Sequence, residues 1–179
     1  MKYLIMCEGT NEKTIIDMLI EYNMFTISKN DMIGETVYHA RTLKDSIITT
    51  VLSVVSTNFT VLRIGDTQTD ELQIPNKYKH MINDVVKICT KPELEILIII
   101  SENQIRNYNK QSLKPKLFSK SIKLRNGLIY DQSSNFYKEY FDKETLVNSL
   151  IEYKRIKKKS HEKSEKFLVD YLKESDING

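Results

Sequence analysis

Glu8, Asp66 and Glu102 are the side chains from which chemistry can start, because each closes an apolar run. Tyr3-Leu4-Ile5-Met6-Cys7 leads into Glu8-Gly9, Phe59 to Ile64 leads into Gly65-Asp66, and Leu94 to Ile100 leads into Ser101-Glu102. Asp70 follows Asp66 in the same polar loop. Carboxylates are hard oxygen ligands, and a group of them with little compensating charge suits Mg2+ or Mn2+. Such an ion clamps a phosphate and activates a water for attack on phosphorus. Acids after strands also act as helix caps. That role fits Asp66 better than Glu8, which directly precedes a glycine.

The elements that must hold these residues read as strand, helix, strand, helix, strand, helix, strand over the first hundred residues. An apolar run ending in a turn signal is a buried strand, so Tyr3–Cys7 is the first. Thr10 or Asn11 caps a helix to about Tyr22 that buries Ile15, Ile16, Leu19 and Ile20. Residues 35–40 form a second strand, and a helix opens at Thr42-Leu43-Lys44-Asp45 and ends by Asn58. Phe59–Ile64 is the third strand, residues 76–88 a helix after Pro75, and Glu93–Ile100 the fourth and strongest strand. This alternation predicts an α/β fold, a parallel sheet with helices on both faces. All three carboxylates would then gather at the carboxyl edge, where open parallel sheets bind ligands. From Asn103 onward the pattern changes, leading into a basic, largely helical extension over 111–179: a helix over 136–154, then a basic run and an amphipathic helix over 162–172.

A chain of 179 residues fits one domain with an appendage, divided here as 1–110 and 111–179. No apolar run approaches a membrane span, and the amino terminus lacks the features of a secretory signal, so no membrane partner is expected. Cys7 and Cys89 lie in or beside apolar segments, as buried thiols of a reduced, cytoplasmic protein would. The net charge of +3 conceals an asymmetry. Residues 1–102 carry 10 Lys and Arg against 14 Asp and Glu, and residues 103–179 carry 17 against 10. The stretch 103–125 holds Arg106, Lys110, Lys114, Lys116, Lys120, Lys123 and Arg125 and no acid, with Tyr108 and Phe118 between them. Charge interleaved with aromatics binds nucleic acid through phosphate contacts and base stacking. The same stretch also reads as a solvated surface. His39 follows the second strand and can approach the site. The P-loop and dinucleotide glycine patterns are both missing, which disfavours a nucleotide-driven motor and a dinucleotide oxidoreductase.

Glu8-Gly9 after one strand, Asp66 to Asp70 after a later one and Glu102 beyond a fourth together resemble the toprim fold. That is the metal-binding domain of primases, topoisomerases, some small ribonucleases and the overcoming-lysogenization-defect nucleases. The resemblance covers residues 1–110. Glu12 resembles the second acid of an E-G-x-x-E variant found in small toprim-like proteins of phage-defence systems. The resemblance implies Glu8 as general base or metal ligand, and Asp66 and Asp70 as ligands to Mg2+ or Mn2+. Glu102-Asn103-Gln104-Ile105 resembles the extra glutamate of nuclease-type members. The family's D-x-D is broken here, with Gln68 in the second acidic position. The implied activity is metal-dependent hydrolysis of DNA or RNA. Gln68 favours the rival reading, a non-catalytic module that binds nucleic acid or a protein. That partner could be an ATPase supplying the motor this chain lacks, and self-association stays open.

Overall fold

In the first strand of the computed structural model, β1 (Lys2–Cys7), successive side chains take opposite faces. Leu4 and Met6 enter one apolar core, Ile5 and Cys7 the other. The structure describes residues 1–66 and 71–177. After β1 come α1 (Thr10–Glu21), β2 (Met32–His39), α2 (Ser46–Leu52), β3 (Phe59–Gly65) and β4 (Ile82–Cys89). Then follow α3 (Ile96–Ser101), α4 (Ile105–Tyr108), α5 (Pro115–Ser121), α6 (Ser134–Tyr140), α7 (Lys143–Lys157), β5 (Glu165–Lys166) and α8 (Glu174–Ile177). The strands form one sheet in the order β2-β1-β3-β4-β5, with every pairing parallel. The chain is therefore α/β. From β1 it steps to one side for β2, then to the other for β3, so the carboxyl ends of β1 and β3 flank the switch point where such sheets open a crevice.

Both faces of the sheet are covered, unequally. α2 brings Ile48 and Leu52 onto Leu4, Met6, Phe59 and Val61. The opposite face, with Ile5, Leu62, Ile64 and Ile88, receives α1, α3, α6 and α7 in one continuous core. Residues beyond 110 enter that core through Phe118, Tyr137, Leu146 and Tyr153, and they supply the fifth strand.

Several expected elements differ. Residues 76–88 were expected to be helical; they hold a 3-10 turn at Asn76–Tyr78 and then β4. The strand expected over Glu93–Ile100 is instead α3, so Glu102 ends a helix and not a strand. Every residue from Leu94 to Ile100 is buried, which removes the periodicity that tells a strand from a helix. The second helix is confined to α2. The helix expected over 136–154 is broken into α6 and α7, because Asp142 caps α7 by accepting from the Thr145 amide at 2.7 Å. The amphipathic helix expected over 162–172 is β5 followed by a 3-10 turn at Leu168–Tyr171. Both cysteines are buried thiols; burial pushes Cys7 well up and Cys89 up to about 12. No described helix is long and apolar enough to cross a membrane.

The β5 edge is fastened by a buried polar knot. Lys91 Nζ pairs with Glu165, the His161 ring stacks on Phe167 at 4.0 Å, and His161 Nε2 lies 2.9 Å from the Tyr153 hydroxyl. Burial holds His161 below its usual value, aided by Lys91 and Lys157 and opposed by Glu165 and Asp170. A base whose folded pKa is depressed takes its proton first in the unfolded chain, so its protonation favours unfolding. Stability carried by neutral His161 should therefore fall as pH drops below the unfolded value near 6.5. Urea midpoints at pH 7.5 and 5.5, for wild type and His161→Gln, measure this contribution. An equal change in both proteins would remove His161 from the pH dependence.

Candidate functional site

β1 and β3 end side by side, with Cys7 opposite Ile64 and the Glu8 amide donating to the Ile64 carbonyl at 2.9 Å. Glu8 and Asp66 thus emerge next to each other at the carboxyl edge, as the sequence implies. Their side chains part there. The Glu8 carboxylate meets the buried Arg63 guanidinium, Oε1 to Nη2 at 3.4 Å, and lies across Gly65. Arg41 Nε donates to the Glu8 carbonyl at 3.2 Å. A Cβ on Gly65 would stand 2.4–2.7 Å from the Glu8 carboxyl and Cγ atoms. Gly65→Ala should therefore displace Glu8 from Arg63 and cost about 1–3 kcal/mol, the usual penalty of overpacking. Urea unfolding checks this, and an unchanged midpoint would mean that Glu8 is loosely placed.

On the other side of this edge opens a cleft of about 380 Å3 lined by Gly9 to Glu12, Asp66, Glu93 to Glu95, Lys116 and Gln132. α1 begins here at Gly9, which has no side chain to cap it, and the Glu12 carboxyl folds back to accept from its own amide, a bond that opposes the rise in its pKa. Gly9 has a steric role as well: a Cβ there would lie 2.3 Å from Glu12 Oε2. Glu12 can therefore fold against the strand end. Its carboxyl is held above the usual range, chiefly by burial and then by the charges of Asp66, Glu95 and Glu8. Glu93 Oε2 accepts from the Lys116 amide at 3.1 Å and so caps α5. The buried carboxylate of Glu95 accepts from the Tyr130 hydroxyl, whose pKa is raised by burial and by that bond. Lys116 is the one cationic residue among the cleft's described lining.

The expected site residues divide accordingly. Asp66 and Glu12, the latter expected as an accessory, line one cleft, and the Asp66 charge helps to raise the Glu12 carboxyl. Glu8 is adjacent but turned to Arg63. Glu102 does not join them. At the carboxyl end of α3 it accepts from the Tyr140 hydroxyl at 2.5 Å and from the Arg125 amide at 3.2 and 3.3 Å. Because Ile96–Ser101 is a helix and not a strand, Glu102 lies away from the carboxyl edge of the sheet. His39 ends β2, exposed and outside the cleft lining. Asp70 and Gln68 lie outside the described residues. Glu93, Glu95 and Gln132 were not foreseen. The signal for the first two was their place just ahead of an apolar run, which fits the first turn of a buried helix.

Among the described residues no three His, Cys, Asp or Glu side chains stand close enough to share one ion. Mg2+ commonly needs less from the protein, being held by one or two carboxylates together with waters and substrate phosphate. Asp66 and Glu12 can supply that pair, and the repulsion that raises Glu12 is what a cation would relieve.

The seven cations of 103–125 are all exposed. Among the described residues none of Arg106, Lys110, Lys114, Lys116, Lys120, Lys123 and Arg125 makes an ion pair with a carboxylate side chain. Phe118 offers no free ring for base stacking, and Tyr108 is only partly exposed. The two rings pack edge to face on each other at 5.4 Å, and Phe118 is buried. Comparison of the chain with protein-family models, curated proteins and solved structures gave no match.

Proposed function

We propose that the chain is a divalent-cation-dependent phosphodiesterase acting on nucleic acid, with its chemistry in the cleft between β1, β3 and α3. The observation that carries this reading is the Glu12 carboxyl, raised by burial and by Asp66 in a cleft at the sheet's switch point. Asp66 and Glu12 would hold Mg2+ or Mn2+, which when bound polarises a phosphoryl oxygen and acidifies water. Lys116 and the first amides of α1 offer donors for a phosphate. Glu8 serves as the fixed partner of Arg63 behind the site.

Mn2+ titration by calorimetry, paired with a cutting assay on labelled single- and double-stranded DNA and RNA, tests the proposal. Cation binding that is lost in Asp66→Asn, with Mn2+-dependent cutting by the wild type, is the expected result. One observation favours a second reading, a non-catalytic module for nucleic acid or a protein: Arg63 already engages the Glu8 carboxylate that the toprim resemblance would assign to catalysis. Binding of oligonucleotides without cutting, in either metal, would establish that reading instead.

A further inference from the structure

We propose that the cavity between α4 and α7, away from the carboxyl-edge cleft, is a nucleobase-binding subsite. Its volume is about 490 Å3, within the range of roughly 300–1,000 Å3 typical of small-ligand sites. Ile100, Ile105 and Ile156 give it apolar walls, while Asn103, Arg106 and Arg155 stand at them as polar groups. Arg155 is oriented. On the exposed surface of α7 its Nε and Nη2 bond to the two oxygens of Glu152 at 2.6 and 2.5 Å, a fork that orients the plane of the guanidinium. A planar guanidinium beside aliphatic side chains is a stacking surface for a flat heterocycle. The Asn103 amide offers both a donor and an acceptor to a base edge. Glu152, also in the lining, opposes a bare anion, so the neutral ring belongs inside the cavity and its phosphate outside, at Arg106. Arg106 makes no ion pair among the described residues and is available for it.

The surroundings indicate a strand as the source of the base, an inference that rests on reading the chain as a nucleic-acid protein. α5 runs alongside α3. At its start the Lys116 amide bonds to Glu93 in the carboxyl-edge cleft, and just past its end the Arg125 amide bonds to Glu102. Arg125 then lines a groove that shares Ile100, Asn103 and Glu152 with the cavity. Lys120 and Lys123 lie between these ends. A polyphosphodiester chain can follow these exposed lysines from the cleft and place an unstacked base in the cavity.

The test uses amide shifts of the 15N-labelled full chain without metal, with AMP, adenosine, ribose 5-phosphate and inorganic phosphate as probes. AMP and adenosine should move the amides of Asn103, Arg106 and Ile156, and ribose 5-phosphate should not. Arg155→Lys, which keeps the charge and loses the plane, should weaken AMP about tenfold. Arg106→Ala should make AMP and adenosine bind equally. An eight-residue oligoadenylate should bind at least tenfold more tightly than AMP, with that advantage lost in Lys120→Gln/Lys123→Gln. If the oligonucleotide has no advantage, the subsite stands with a free nucleotide as its source. Equal binding of ribose 5-phosphate, shifts confined to Gly9–Glu12, or no shift with millimolar AMP would overturn the proposal. Repeating the AMP titration with Asp66→Asn separates the two sites, because a failed cutting assay leaves this binding untouched.

Discussion

Glu12→Gln should lower Mn2+-dependent cutting by about a hundredfold or more, because it removes one of the two carboxylates that would hold the ion. At pH 7 the same variant should withstand more urea than the wild type. Both effects follow from one environment. Burial and the charges of Asp66, Glu95 and Glu8 raise the Glu12 carboxyl above its ordinary value of 4.5. An acid whose folded pKa is raised binds its proton more readily in the folded state, so stability falls as pH rises from the unfolded value through the folded one. Above both values the charged carboxylate is a constant burden, which glutamine removes while keeping the shape. The variant's advantage should shrink as pH is lowered toward 4.5 and the wild-type carboxyl is protonated. Added Mn2+ should narrow the gap at pH 7, because the ion stabilises only the protein that binds it. Equal urea midpoints at pH 7 would show that Glu12 is solvated, and retained cutting would remove it from the chemistry.

Replacing Lys114, Lys116, Lys120 and Lys123 together with glutamine should weaken nucleic-acid binding strongly and leave the fold intact. None of the four is ion-paired among the described residues, all four are exposed, and glutamine has nearly the helix propensity of lysine. Each phosphate contact contributes roughly 0.7–0.9 to the slope of log affinity against log salt, so four lost contacts flatten it by about three. Binding measured by gel shift from low to moderate salt gives that slope directly. With Phe118 buried and Tyr108 packed edge to face on it and only partly exposed, the path offers charge and little stacking. An unchanged slope would mean that the lysines are only a solvated face. Asp66→Asn is the control, since it should stop cutting without altering the slope.

The halves of the site differed in how plainly the sequence announces them. β1 and β3 are legible because each is an apolar run stopped by a glycine next to a carboxylate, so Glu8 and Asp66 fall at the correct edge. The wall formed by Glu93 and Glu95 is not legible. Leu94 to Ile100 is uniformly apolar and short enough for a strand, and only tertiary packing against α5 and α7 decides that it is α3. β4 failed for the opposite reason. It carries Asn83, Asp84 and Lys87, and six of its eight residues are partly or fully exposed, so its alternation is faint. Glu12 was visible only as part of a motif. Its importance comes from the close approach over Gly9, which spacing along the chain does not encode.

The route by which residues 165–172 return across the molecule bears on how the protein is made. Thr26 donates to the carbonyl of Tyr171, 145 residues away, and Phe25 forms a bridge with Leu172. α3 finds its main packing partners in α5 and α7. During synthesis the apolar helix Ile96–Ser101 therefore leaves the ribosome before the elements that cover it. At about 5–20 residues per second, the ~70 residues up to Leu172 take roughly 4–14 s to appear. For that interval one face of the sheet is a sticky, unfinished surface, and closing it needs contacts distant in sequence, which form slowly. Nascent chains of this protein should lean on holding chaperones until α7 emerges, and chains released before that point should be cleared by proteases.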